Sequence, residues 1–536
     1  MLGRAIKRYS YWIVFFAIML MKYGYYRFRY YPVLDDWIQY GVFSFSNNIF
    51  KEIIIGTGTY TTRPFASLSD PYIWARFWGK MGIAFFIITC LHILSGYLLY
   101  KVFEYHELNV GLLFLAIFGM LPLGTEATYW ISASSRLVVG IFFMALSLYL
   151  LSLYIRKNQQ NYWLLLFFFL THLISLGYYE SIIVLSVFSA VLLIILNWRL
   201  LKKKWVAVIP IVNFFMIAVY YKSFSHVGQV AARGQFIKEN YISHFRLVFD
   251  KIMDVWIKAH LPLYTRGFVR GLKVLLENHS YLYLFLILLL SVVAAVLASR
   301  EKNGMSKKDA VIKIVIGVIL FWVPFSIHFI LSDVWISNRN AFPSLIGLGL
   351  IMEGLLTVFT DSQRRKYVKS IVIAILVPVL MIIHISELTD YKNISEADRL
   401  ICTNIINAAK GTEFLEGKKK AFLFNTVSAY VEQNMHYHEH IHNVTEADWS
   451  LTGVIRAVSR NRNIHSMKPV PNEQSFSMDD INSFDLFGID SSMNVFPLYA
   501  EEDRSDGKIL LKRENGEPFG FIQKEDTLYR FYYIKS

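Results

Sequence analysis

A chain of 536 residues that is 55% hydrophobic, 16% aromatic and only 18% charged is too apolar for an ordinary soluble protein. Its formal charge of +14 invites a nucleic-acid reading, but the cations gather in alternate short loops between apolar runs, which excludes it. Of the two cysteines, Cys90 falls inside an apolar run and Cys402 in a polar tail, so neither a disulfide framework nor a thiolate metal site is expected.

Apolar runs of about 17–25 residues are long enough to cross a bilayer as helices. About eleven are predicted, at 9–26, 80–101, 108–123, 136–155, 161–177, 180–198, 204–222, 280–299, 311–331, 342–360 and 367–388. The first has no small-residue cleavage site and ends in Tyr23-Gly24-Tyr25-Tyr26, so it reads as an anchored span and not as a secretory signal. Arg4/Lys7/Arg8, Arg156/Lys157, Arg199/Lys202/Lys203/Lys204, Lys302/Lys307/Lys308 and Arg364/Arg365/Lys366 mark the cytoplasmic loops and place the N-terminus inside. An odd number of spans then puts the tail outside. The expected architecture is a polytopic α-helical membrane module, 1–388, with external loops 27–79 and 223–279, followed by an extracytoplasmic α/β domain, 389–536.

The chemistry-bearing residues fall on the external side, which was assigned from charge alone. The first external loop holds the acidic pair Asp35-Asp36 and Arg63. The next turn holds Glu126, Trp130 and Arg136, and a tight hairpin holds Tyr179 and Glu180. Arg233 lies in the long loop, and Asp333 and Arg339 precede the tenth span. Charges beside or inside a membrane are costly unless they are used or paired. Glu353 is different: it lies in the cytoplasmic half of span ten and reads as paired within the bundle. Segments 246–258 and 263–277 mix apolar positions with Arg246, Lys251, Lys258, Arg266, Arg270 and Lys273, so they suit the headgroup plane, either as a wall for a lipid phosphate or as a plain strut.

In the tail, 396–410 and 446–459 have helical spacing, 420–424 reads as a buried strand, and 528–534 alternates like another. Asn515-Gly516 between 508–512 and 519–523 signals a hairpin. The stretch 460–507 shows no readable pattern. His436, His438, His440 and His442 would share one face of a strand, but four ligands in a line do not surround an ion, and no metal site is assigned.

The external set contains acids, arginines and aromatics without a nucleophile triad, a zinc motif or a phosphate loop. Such a set suits sugar transfer from a lipid-linked phosphate: a carboxylate takes the acceptor's proton, and arginines hold the departing phosphate. Asp35-Asp36-Trp37 followed by Thr62-Arg63-Pro64, then Glu126 to Arg136, Tyr178-Tyr179-Glu180-Ser181 and Asn338-Arg339-Asn340, resembles the C-type membrane glycosyltransferase superfamily over residues 1–360. That superfamily includes protein O-mannosyltransferases, the aminoarabinose transferases of lipid A and bacterial surface-polymer enzymes. Two positions depart from its pattern: Asn340 follows Arg339 where a tyrosine is common, and Tyr179 precedes Glu180 where a lysine is common.

The resemblance implies a GT-C-like fold, a polyprenyl-phosphate-linked sugar as donor, and an acceptor hydroxyl on a surface glycopolymer, lipid or protein. It implies Asp35 or Asp36 as base, with Arg63, Glu126, Trp130, Arg136, Tyr179, Glu180, Arg233 and Arg339 around the donor phosphate and sugar. No cofactor is expected, with Mg²⁺ or Mn²⁺ the less favoured option, and the location is a bacterial plasma membrane. A lipid-linked sugar flippase or transporter, and a surface-polysaccharide polymerase or ligase, are the competing classes.

Overall fold

Each apolar run forms a helix that is hydrophobic nearly all round, as expected of segments facing either lipid or other helices. The computed structural model describes residues 2–157, 159–224, 236–258, 260–301, 306–332, 334–360, 362–428, 430–431, 442–503, 508–525 and 527–534. Arg233, Asp333, His436, His438 and His440 lie outside the described residues. The helices are α1 (Leu2–Gly24), α2 (Pro64–Tyr72), α3 (Met81–Tyr105), α4 (Leu112–Met120), α5 (Thr125–Thr128), α6 (Ile131–Arg156), α7 (Tyr162–Leu176), α8 (Glu180–Leu196) and α9 (Val208–Ser223). They continue as α10 (Tyr241–Met253), α11 (Phe268–Glu277), α12 (Tyr281–Ser299), α13 (Lys307–Trp322), α14 (Asn338–Ala341), α15 (Leu345–Phe359), α16 (Ser362–Ala408) and α17 (Asp448–Ser459).

Among the described residues, seven helical stretches are long and apolar enough to cross a membrane: Met81–Tyr105, Ile131–Arg156, Lys204–Ser223, Tyr281–Ser299, Lys307–Phe329, Asn338–Phe359 and Arg364–Ala408. Three shorter apolar helices, Ser10–Gly24, Tyr162–Leu176 and Glu180–Leu196, coincide with further expected spans. The run 108–123 behaves differently. Its helix, α4, has nine residues, every one of them buried. At about 1.5 Å per residue it is roughly half the length of a ~30 Å hydrocarbon core. A run buried on all sides by other helices has the same periodicity as one facing lipid, so the sequence alone does not separate them. Outward-facing residues such as Phe215, Val219, Leu282 and Phe359 are large, apolar and exposed, as a lipid-facing surface requires.

The segment 27–79, expected as the first external loop, is not a loop. π-helical segments at Trp37–Val42 and Ile49–Ile55 lead into α2, which starts with Pro64, the residue whose fixed φ and missing N–H suit a first helical turn. The last apolar run also departs from expectation. α16 continues for 47 residues without a break at 388. At ~1.5 Å per residue this is about 70 Å, twice a bilayer core. Its first half packs Val377, Leu380 and Ile383 into the bundle, and its end gives Ile401, Cys402 and Ile405 to the core of the tail. The helix expected at 396–410 is therefore the far end of the last span.

The tail is an eight-stranded sheet in the order β2-β1-β4-β5-β6-β7-β8-β3, from β1 (Lys420–Thr426), β2 (Met467–Pro471), β3 (Ser475–Phe476), β4 (Phe484–Ile489), β5 (Val495–Asp503), β6 (Lys508–Lys512), β7 (Pro518–Glu525) and β8 (Leu528–Tyr533). β1 runs parallel to β2 and β4, with α17 as the crossover to β2, and the remaining pairs are antiparallel. The hairpin expected around Asn515-Gly516 joins β6 to β7, with Gly516 at φ 84°. Four strands fall within 460–507, where Pro469 and Pro471 and a two-residue β3 erase the alternation that would announce them.

The sheet domain and the segment 27–79 share one core. The Trp37 side chain is buried among Ile401, Leu451 and Val454. α17 lies so close to the π-helical turn that a Cβ at Gly453 would sit 2.3 Å from Ile38 Cγ1. Arg462 also pairs with Glu52 across this seam. The tail thus braces the segment that carries the acidic pair.

Candidate active site

The two aspartates differ sharply in surroundings. Asp36 is fully buried and each of its oxygens accepts two hydrogen bonds. Oδ2 takes the Tyr30 hydroxyl and the Val33 N–H at 3.1 Å. Oδ1 takes the Ser132 N–H at 3.1 Å and its hydroxyl at 2.6 Å. Ile131 and Ser132 open α6, so Asp36 satisfies a donor that the helix itself leaves unpaired and places negative charge at its positive end. Tyr30 completes the clasp by accepting the Ile131 N–H at 2.8 Å. Burial pushes the Asp36 carboxyl up to about 7, against the pull of the Ser132, Tyr30 and Val33 hydrogen bonds and with the nearby Asp35 charge adding to the rise. Of the two residues expected as candidate bases, Asp36 thus has both carboxylate oxygens engaged by donors of the protein itself.

Asp35 is half-buried on the other side of the same turn. The turn closes through Asp36 N–H to Val33 carbonyl at 3.0 Å and Trp37 N–H to Leu34 carbonyl at 3.1 Å. Leu34 has φ 41°, a left-handed conformation that costs a leucine about 1–2 kcal/mol, and its buried side chain holds it there. Asp35 lies close enough to Arg136 for their charges to interact.

Arg136, on the first turns of α6, does not reach outward. Its Nε and Nη2 donate to Asp70 Oδ2 at 3.1 and 2.6 Å, and Nη2 also donates to Gln39 Oε1 at 3.0 Å. Ser135 donates to Asp70 Oδ1 at 3.2 Å. Asp70 is 3% exposed and was not anticipated: within Ser-Leu-Ser-Asp-Pro it looks like a turn residue, and only its place in the same external loop pointed to it. Removing one partner of a buried ion pair strands the other, at a cost of about 3–5 kcal/mol. Asp70→Asn is expected to lower the thermal midpoint of the full chain markedly, whereas a mere surface pairing would leave the midpoint within a degree or two.

Arg63, Tyr179 and Glu180 are brought together. Arg63 Nε and Nη2 each lie 3.0 Å from an oxygen of Glu180, and its guanidinium sits 4.3 Å from the centre of the Tyr179 ring. Glu180 opens α8, where its charge complements the helix dipole. A third group joins Glu126, Trp130 and Arg339. Arg339 Nε is 3.9 Å from Glu126 Oε1, the longest of the three arginine–carboxylate pairs, and its guanidinium lies 5.5 Å from the centre of the Trp130 ring. Asn340 closes a capping box with Ser337, at 3.1 Å to its N–H and 3.0 Å to its hydroxyl, and so fixes the short helix that carries Arg339.

Trp130 joins this group to the acidic turn, its indole N–H donating to the Val33 carbonyl at 3.4 Å. Beneath the site runs a buried polar seam that the sequence reading passed over. Lys22 donates to the Gly119 carbonyl at 2.9 Å, and Tyr23 shares a hydrogen bond with Thr128 at 2.9 Å. His384 lies 3.2 Å from Glu387. The available signal was a lone lysine inside an apolar span. The basic stretch 263–277 packs against α16: Arg270 pairs with Asp390, and a Cβ at Gly271 would lie 2.0 Å from the Ile382 carbonyl oxygen. His442, the one described member of the histidine run, lies 3.0 Å from Glu446. No known protein family matches this chain, and no curated protein matches it.

Proposed function

We propose that this chain is an integral-membrane glycosyltransferase that moves a sugar from a polyprenyl-phosphate donor to an acceptor hydroxyl on the extracytoplasmic side. The observation that carries the reading is the linkage through α6: its N-terminus is clasped by Asp36, and Trp130 just before it touches both the Asp35 turn and Arg339. A base and a phosphate-binding cation therefore sit on two sides of one rigid helix start. In the reaction, the acceptor oxygen attacks the anomeric carbon as Asp35 takes its proton. The bond from that carbon to the phosphate oxygen breaks, and Arg339 holds the charge that grows there. Glu126, Trp130, Tyr179 and Glu180 present the acids and aromatic faces that a sugar needs, while Arg63 and Arg136 hold the walls. Arg233 belongs to the same donor site in this proposal, on the strength of its external position. The positive-inside distribution supports an external site, and the proposed location is a bacterial plasma membrane.

A lipid monophosphate leaving group carries less charge than a nucleotide diphosphate and is handled by guanidinium alone. Activity is expected to survive chelator. Strict dependence on Mg²⁺ or Mn²⁺ would make Asp35 a metal ligand and point to a diphosphate donor. The reading is tested in sealed proteoliposomes with radiolabelled polyprenyl-phosphate sugar: label passing to water or to an added acceptor supports it. Intact lipid moving between leaflets, with no release, replaces it with a flippase.

A further inference from the structure

Two arginines from distant parts of the chain lie over the rings that flank the acidic turn. The Arg29 guanidinium sits 5.5 Å from the centre of the Tyr31 ring. That of Arg399, on the outer part of α16, sits 5.6 Å from the centre of the Trp37 ring. Tyr31 and Trp37 bracket Asp35-Asp36 in the sequence. We infer that Arg29 and Arg399 form the anion-binding part of the acceptor site, and that the acceptor is an anionic glycan carrying phosphodiester or carboxylate groups. The inference rests on the proposed transfer reaction, whose acceptor class it names.

The backbone bends at some cost to bring Arg29 there. Arg27 and Phe28, directly after α1, both have left-handed φ, 54° and 57°. Side chains make that conformation unfavourable, and two in succession need support. Phe28 has it, since its ring packs against Phe85 and Phe86 with centres 6.2 and 5.6 Å away. The bend closes through Arg27 N–H to the Gly24 carbonyl and Arg29 N–H to the Tyr26 carbonyl, each at 2.9 Å. Arg399 arrives from the other side because α16 runs unbroken out of the bundle. Both arginines are exposed, and they are close enough for their charges to repel. Glu396, exposed one turn earlier on α16, is the acid whose charge acts on Arg399. One carboxylate offsets one of the two guanidiniums. An oxyanion set between them relieves the repulsion and takes charge-assisted hydrogen bonds from both.

The height of the pair above the membrane selects among anions. Tyr25 and Tyr26 end the first span, where tyrosines settle at headgroup level. Lys392 of α16 lies over Tyr26, 5.5 Å from the centre of its ring, and so marks the same level on the last span. From Lys392 to Arg399 the helix rises about 10 Å, at ~1.5 Å per residue. The headgroup layer on one side of a bilayer is about 5–8 Å thick, so Arg399 stands beyond it. A lipid phosphate stays below that level, whereas the charged groups of a polymer outside the membrane reach it. A glycan held there presents its hydroxyls to Asp35, on the turn between the two rings.

The test is binding by the purified full chain in neutral detergent, without donor, read by fluorescence anisotropy. The probes are labelled glycerol-phosphate and galacturonate oligomers and a neutral dextran oligomer of equal length. At least one anionic oligomer is expected to bind, with affinity falling as salt rises, and the dextran is not. Arg29→Gln and Arg399→Gln should each weaken binding on the order of tenfold, by loss of one charge-assisted contact. Arg513→Gln should leave it unchanged, although it too removes an arginine beside a ring, 4.2 Å from the centre of Phe496 in the sheet. If Arg399→Gln disturbs folding through Trp37, Arg29→Gln decides. Three results overturn the inference: equal binding of dextran, equal affinity in Arg29→Gln and wild type, or arginine-dependent binding of short-chain phosphatidylglycerol in place of either oligomer. Because no donor is present, the outcome is separate from catalysis. Oligomer binding without sugar transfer removes the reaction and leaves an anion site; transfer to a neutral acceptor without oligomer binding removes the site and leaves the reaction.

Discussion

Asp35→Asn is expected to leave a folded protein whose transfer rate falls by about 10²–10⁴-fold, the usual contribution of a positioned base. The carboxylate is half-buried on a turn beside Arg136. Asp36→Asn behaves differently. Its oxygens face four donors, so an amide must turn its NH₂ toward two of them, and both stability and rate suffer. The pH dependence separates the two further. Asp36 titrates near 7 when folded against 3.8 ordinarily, so between those values the native protein holds a proton that the unfolded chain has lost. Native stability therefore falls as pH rises from about 4 to about 7, and Asp36→Asn removes that slope. Thermal melts across this range, read alongside turnover, check both statements. Full activity in Asp35→Asn, with loss confined to an Asp36→Asn protein of unchanged melting behaviour, would move the base to Asp36.

Arg339→Lys is expected to cost nearly as much, about 10²–10³-fold, and mainly in turnover. Lysine keeps the charge but cannot hold two phosphate oxygens in a fixed plane. Because charge on the bridging oxygen grows as the sugar leaves, the loss belongs to the transition state and not to donor binding. Arg63→Lys and Arg136→Lys should instead show up as lowered stability, since their forks are fastened to Glu180 and Asp70. Steady-state kinetics of the three variants, with melting curves, distinguish the cases. Arg339→Lys at the parental rate would place the leaving phosphate elsewhere.

The residues on which these predictions rest were legible to different degrees. Hydrophobic run length located the helices, because a bilayer or a bundle interior demands the same thing of every position. For that reason it could not tell the buried nine-residue α4 from a span, nor see that α16 runs on into the tail. Asp35, Asp36, Arg63, Glu126, Trp130, Arg136, Tyr179, Glu180 and Arg339 were found as charged or aromatic residues at helix mouths, where their cost flags them. Their differing surroundings were not legible: which aspartate faces inward depends on Tyr30 and Ser132, about a hundred residues apart in sequence. Asp70 escaped notice because a turn aspartate before proline looks ordinary until Arg136 is seen beside it. In the tail, β6 and β7 announced themselves through Asn515-Gly516, while β2 and β3 were hidden by prolines and brevity. The docking of α17 on Trp37–Val42 has no local signature at all, since it lies in the small size of Gly41 and Gly453.

The central claim is that the external acid–arginine end of the bundle breaks the bond between a sugar and a lipid phosphate. It is tested most directly by analysing the products of one incubation of the purified chain with a polyprenyl-phosphate sugar and an acceptor. The account predicts one polyprenyl monophosphate released for each sugar transferred, and almost none from Asp35→Asn. Recovery of the donor intact from the wild-type protein with every acceptor class offered — glycopolymer, lipid and protein — would contradict it.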